Sequence, residues 1–180
     1  TLDDFKDLKV RNVGLAAKVA TAAGASVVTL AASEMYSALE TGVIDAGEYG
    51  TPKTNMDLGF QEICKYWHMP AWHQPTSFSD FMINMDAWNE LPDDLKALVR
   101  MACKADHINQ WTSIQKEDAK ALKDLEGKIE IIILSDEVLS KMKDIYAGIE
   151  NEIAAENPFF AKVVQSQRDC ADDLSEWLSI

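Results

Sequence analysis

Arg11 lies inside the apolar run Leu8-Lys9-Val10-Arg11-Asn12-Val13, which is closed by Gly14. A guanidinium in an apolar strand is costly without an anion beside it, so Arg11 calls for a partner. That partner is either an internal Asp or Glu, abundant in a chain with 30 acidic residues, or the carboxylate of a ligand, which matches the planar two-pronged guanidinium. Glu48 poses the opposite question. It stands between Gly47 and Tyr49 where a short strand is predicted to end, and strand ends are where α/β proteins place ligand sites; the plainer reading is a solvated turn residue. Cys64 and His68 are four apart, a spacing that would suit a soft transition metal on a helix. Tyr66 and Trp67 between them argue against regular helix, and no third ligand falls at helical spacing. His107 reads as a partly exposed residue of a long helix. No Gly-x-Ser-x-Gly elbow, phosphate-cradling glycine loop or His-Glu-x-x-His occurs, so the common catalytic routes are missing.

The elements that must position these residues follow from periodicity and punctuation. Leu15 to Ala23 is predicted helical and stops at Gly24; Val27 to Leu30 is a β-branched run; Ser33 and Glu34 open a helix carrying Met35, Leu39 and Val43; Ile44 to Gly50 is a short strand. Alternation of strand and helix predicts α/β units with parallel strands. Phe78 to Met85 is predicted as a strand. Asp86 begins a long helical region reaching about Leu125, with Leu95, Leu98, Val99 and Ala102 on one face and Pro92 tolerated near a helix start. Gly127 ends it, Ile129 to Leu134 is a strand, and Ser135 caps a helix with the stripe Val138, Met142, Ile145, Ile149 and Ile153. A last helix follows Pro158.

Composition narrows the function classes. Against those 30 acidic residues stand 17 basic ones, a formal net charge of -13, which argues against partners held by phosphate neutralisation, nucleic acid and anionic lipid alike. With 47% apolar and 26% charged residues the chain can form an ordinary packed core. Cys64, Cys103 and Cys170 are odd in number and irregularly spaced, so they read as three buried thiols and not as a disulfide framework.

Four blocks, spaced without gaps, resemble the extracytoplasmic solute-binding proteins of tripartite ATP-independent periplasmic (TRAP) transporters, in the branch that binds 2-oxo acids and related carboxylates. They are Leu8-Lys9-Val10-Arg11, the stretch from Tyr36 to Tyr49, the run Pro70-Ala71-Trp72-His73-Gln74-Pro75, and the stretch from Phe81 to Leu95. The resemblance implies a periplasmic, non-enzymatic α/β protein of the flytrap type with a long spanning helix. Segment 1–47 would be the first part of the ligand-binding lobe, 48–84 a hinge and a piece of the other lobe, and 85–180 the long helix, a strand and the C-terminal helices. It implies too that the chain is the C-terminal portion of a longer protein, incomplete without an N-terminal half. By the same resemblance Arg11 receives the substrate carboxylate, with Glu48 and Tyr49 also at the substrate, while Glu48, the backbone carbonyl of Tyr49 and Gln74 hold a cation, sodium or calcium, that bridges to it. A cation also accounts for a carboxylate beside an anionic ligand, which is otherwise repulsive. The implied partners are a small carboxylate and the permease subunits of the transporter, with no nucleic acid and with pairing through C-terminal helices open to it. Departures from the branch are Tyr49 where Trp is more frequent, Gln74 where Glu is common, and Asn12-Val13 where Pro-Gly is usual. Two other readings stand beside this one: a ligand-sensing α/β domain of a regulatory protein, and a metal-assisted hydrolase using Glu48 as base.

Overall fold

A computed structural model describes residues 1–74 and 80–179. In chain order the elements are β1 (Lys9–Arg11), α1 (Gly14–Ala22), β2 (Ser26–Val28), α2 (Met35–Glu40), β3 (Ala46–Gly47), α3 (Pro52–Asp57), α4 (Phe60–Ile63) and β4 (Tyr66–Met69). There follow α5 (Met85–Glu90), α6 (Asp93–Asp124), β5 (Glu130–Ile133), α7 (Asp136–Glu156) and α8 (Pro158–Leu178), with single 3-10 turns at Leu2–Phe5 and Ala32–Glu34. None of the helices is long and apolar enough to cross a membrane among the described residues.

These elements form two compact units. The first comprises Thr1–Leu30, Val43–Gly47 and the chain from Leu134 onward; the second comprises Ala31–Gly42 and Glu48–Ile133. Within segment 1–47 the stretch Ala31–Gly42 lies in the second unit, and segment 85–180 divides between the units after Ile133.

In the first unit β1 is the middle strand of a three-stranded sheet ordered β2-β1-β3, parallel throughout, as the strand-helix alternation predicts. Val10 stands opposite Val27 and Ala46, and Arg11 opposite Val28 and Gly47. Val10, Ala20 and Ala25 form the buried cluster beneath it, with Leu8, Val27 and Ala46 packed around. The helix α1 ends where Gly24 takes a φ of +104°, a conformation that glycine adopts without the steric penalty of a Cβ. It packs on α7, whose predicted stripe is real: Val138 and Met142 are buried, and the Ser135 hydroxyl accepts the Val138 amide at 3.4 Å as the helix cap. The helix α8 begins at Asn157, whose carboxamide oxygen accepts the amides of Phe159 and Phe160 at 3.1 and 3.0 Å. It is tied to α7 by an ion pair of Arg168 with the buried Glu150.

In the second unit β4 and β5 form a two-stranded parallel sheet, and α3 lies against α6 with the Lys53 amide donating to Asp118 at 2.8 Å. Met35, Ala38, Phe60, Ala121, Leu125 and Ile129 are its buried apolar residues.

Several expectations need correction. The helix from Ser33 is a 3-10 turn followed by α2, which stops at Glu40; Gly42 takes a φ of +71°, and Val43, expected on the apolar face, is 57% exposed. The strand Ile44 to Gly50 contracts to Ala46–Gly47, because Gly50 is drawn into a turn by reciprocal hydrogen bonds with the Asn55 side chain, 3.1 and 3.0 Å, at the entry to α3. The strand predicted from Phe78 to Met85 is not one over its described part: 80–84 carries no regular structure and Met85 opens α5, capped by the Asn84 side chain. Phe78 itself lies outside the described residues. Pro92 splits the long helix in two, acting as the N-cap of α6. On the shared face Leu95 and Leu98 are 42% and 58% exposed, and the buried residue of α6 is Ala121.

The cysteines also depart from expectation. None is fully buried, and Cys170 is exposed on α8. Burial pushes the Cys64 thiol above the usual thiol range, which lowers its thiolate fraction and hence its reactivity. Maleimide labelling of the native protein near pH 8 is therefore expected to modify Cys170 before Cys64, as followed by peptide mass mapping; equal or faster modification of Cys64 would contradict this assignment.

Candidate functional site

Arg11 is the last residue of β1 and is buried, 8% exposed. Its Nε donates to the Leu30 carbonyl at 3.3 Å, which fixes the plane of the guanidinium. Next to it Asn12 is buried and its side chain accepts the Val13 amide at 2.9 Å, so the turn out of the strand is held by a local bond. In the strand order β2-β1-β3 the chain runs from the middle strand β1 to β2 on one side and then crosses to β3 on the other. Parallel α/β sheets open a crevice for ligands at the carboxyl end of such a strand. Arg11 stands at that end.

Gly47, paired with Arg11 in the sheet, is followed directly by Glu48. The Glu48 carboxylate is 27% exposed, and its Oε1 lies 3.4 Å from Nε2 of His73. This approach brings the Trp72–Gln74 segment to the Glu48–Tyr49 segment, within the second unit. The His73 side chain is 12% exposed, and neither ring nitrogen has a hydrogen-bond partner among the described residues. The Trp72 ring meets the His73 ring edge-on at 5.0 Å, limiting its rotation. The Tyr49 ring meets buried Phe60 edge-on, centroids 6.4 Å apart at 89°, while the residue remains 38% exposed. Gln74 lies at the surface.

Of the sequence-derived site residues, Arg11 thus belongs to the first unit, and Glu48, Tyr49 and Gln74 to the second. His73 entered the sequence reading only as one member of a motif; its adjacency to Gln74 was the one signal that could have singled it out. The Cys64 and His68 pair makes no metal site: Cys64 terminates α4, His68 lies in β4, and no group of three or more His, Cys, Asp or Glu side chains converges among the described residues. His107 is an exposed residue of α6.

The chain is 27% identical, over 98% of its length and 49% of the relative's, to a monocarboxylate 2-oxoacid-binding periplasmic protein of a Nostoc species. Among solved structures it is similar to a TRAP periplasmic solute-binding protein of Pseudoalteromonas atlantica with bound sodium and pyruvate, at 29% identity and a TM-score of 0.90, covering 98% of this chain and 54% of that one. Its similarity to the TRAP solute-binding protein of Colwellia psychrerythraea with bound calcium and pyruvate is 28% in identity and 0.92 in TM-score, covering 98% and 55%. The chain therefore spans about half the length of the relatives it matches. The DctP model, bacterial extracellular solute-binding protein family 7, matches residues 1–157: the chain belongs to that family of TRAP transporter solute-binding proteins.

Proposed function

We propose that the whole protein, of which this chain spans about half the length of its relatives, captures a small monocarboxylate of the 2-oxo acid class in the periplasm and hands it to the membrane subunits of a TRAP transporter, without chemical change to the ligand. Arg11 carries this reading. A guanidinium buried at the carboxyl end of the central strand, with its plane fixed through Nε, is pre-organised to receive a carboxylate in two-pronged fashion. The names of the similar proteins support the ligand class, since one is called a monocarboxylate 2-oxoacid-binding protein and two hold pyruvate.

In this reading Glu48, the Tyr49 carbonyl and Gln74 hold a cation beside the ligand. The donor set fits one: all three offer oxygen, which suits a hard ion, and the Glu48 to His73 approach brings the segments that carry them together. The ion would supply positive charge between the Glu48 carboxylate and the ligand carboxylate, which otherwise repel. Its identity, sodium or calcium, follows the two pyruvate-bound relatives, one of each.

Calorimetric titration of pyruvate and related 2-oxo acids into the full-length protein, in buffer containing sodium and then calcium, tests the function directly. Saturable binding of one ligand per protein is expected. Absence of binding across small 2-oxo acids with either cation would overturn the reading.

A further inference from the structure

The helix α6 is covered near its end. There α3 lies against it, Asp118 accepts the Lys53 amide at 2.8 Å and Ala121 is buried. From Asp93 to Ile114 no residue is buried, yet large apolar side chains crowd the helix: Leu95, Leu98, Met101, Ile108, Trp111 and Ile114 are 37% to 67% exposed. The segment leading into α5 adds Phe81, Met82 and Ile83, exposed as well, and Phe81 and Ile83 line one open groove with Val99 and Cys103 of α6. Soluble monomers rarely leave so much large apolar surface in one region, and a helix draws most of its stability from packing of its apolar side.

The pattern favours one kind of cover. At about 100° per residue, each three-residue step turns the exposed position back by about 60°, so from Leu95 to Ile114 the apolar positions wind about 260° round the helix. A second copy meeting it helix against helix would cover one face and leave the rest in water. Transient docking on a membrane subunit fits poorly too, because non-permanent interfaces are about as apolar as ordinary surface, whereas permanent ones resemble a core cut in half. About half the length of each relative lies outside the part that this chain matches, which is enough polypeptide to wrap a helix. We propose that α6 from Asp93 to Ile114, with the 81–85 segment ahead of it, is the seat of the remaining half of the polypeptide, which folds around the helix and buries Met101, Ile108 and Trp111 in a permanent intramolecular interface. This seat is independent of the ligand and cation assignments.

Two measurements on the full-length protein test it. Hydroxyl-radical footprinting needs no substitution: Trp111 and Met101 are expected to react at least about tenfold more slowly in the native protein than in its unfolded chain, and reaction within about twofold of the unfolded rate overturns the proposal. Benzoylphenylalanine placed at Ile108 then identifies the cover. Cross-links that leave a monomer on a denaturing gel and map to peptides outside Thr1–Ile180 support the proposal; cross-links to a second copy, or within Thr1–Ile180, overturn it. Should that variant fail to fold, footprinting of the parent across a dilution series decides, with light scattering to give its mass. Protection that persists in the monomer supports an intramolecular cover, whereas protection lost on dilution shows that a second copy supplies it and overturns the proposal.

Discussion

Arg11→Ala in the full-length protein is expected to weaken 2-oxo acid binding by at least about thirtyfold. Truncating one partner of a buried, hydrogen-bonded charge pair typically costs about 2 to 5 kcal/mol, and each 1.4 kcal/mol is about tenfold in affinity. The lower limit is the appropriate floor, since the variant leaves space that water can enter to solvate the ligand carboxylate in part. Arg11→Lys separates charge from geometry. It keeps the positive charge, but an ammonium can neither donate in parallel to both carboxylate oxygens nor keep the planar Nε contact to the Leu30 carbonyl, so an intermediate loss is expected. Because Arg11 is buried, both variants are checked by thermal melting before calorimetry. A folded Arg11→Ala protein with the parent's affinity would remove Arg11 from the site.

What the sequence revealed and what it concealed divides along the range of the interactions involved. The stop of α1 at Gly24 and the start of α7 at Ser135 were legible because each rests on residues within one helical turn of the boundary. The stripe through Val138 and Met142 was legible since its period matches the helix. Arg11 was conspicuous because a charge in an apolar strand violates the local pattern, and such violations concentrate at functional positions. The failures arise where a distant segment decides. Ile44 to Gly50 has the composition of a longer strand, yet the Asn55 side chain captures Gly50 from beyond it. Leu95 and Leu98 obey helical periodicity and still face outward, because periodicity names a face without supplying a partner to cover it. His73 illustrates the same limit at the site. Its approach to Glu48 joins residues 25 positions apart, and nothing in either local sequence announces it.

Gln74→Glu is expected to shift the cation preference towards calcium by about thirtyfold in the ratio of affinities. The argument begins with charge. In the proposed cation site Gln74 is a neutral oxygen donor, and Glu at position 74 would add one negative charge beside the ion. That charge attracts a divalent ion more than a monovalent one, and it is a charged oxygen of the kind calcium favours. The size of the shift follows from the second charge of calcium acting on one added carboxylate. At 4 Å that interaction is about 1 kcal/mol in bulk water and about 4 kcal/mol at the effective dielectric of a protein surface. Gln74 lies at the surface, so a value between these limits, about 2 kcal/mol, is appropriate and corresponds to roughly thirtyfold. Gln74→Glu adds a ligand charge and should raise calcium affinity outright. Titrating pyruvate into parent and variant, in sodium-free buffer with and without calcium and then in sodium alone, measures the shift. A calcium affinity unchanged by the added carboxylate would show that position 74 does not face the ion, and the donor set would reduce to Glu48 and the Tyr49 carbonyl.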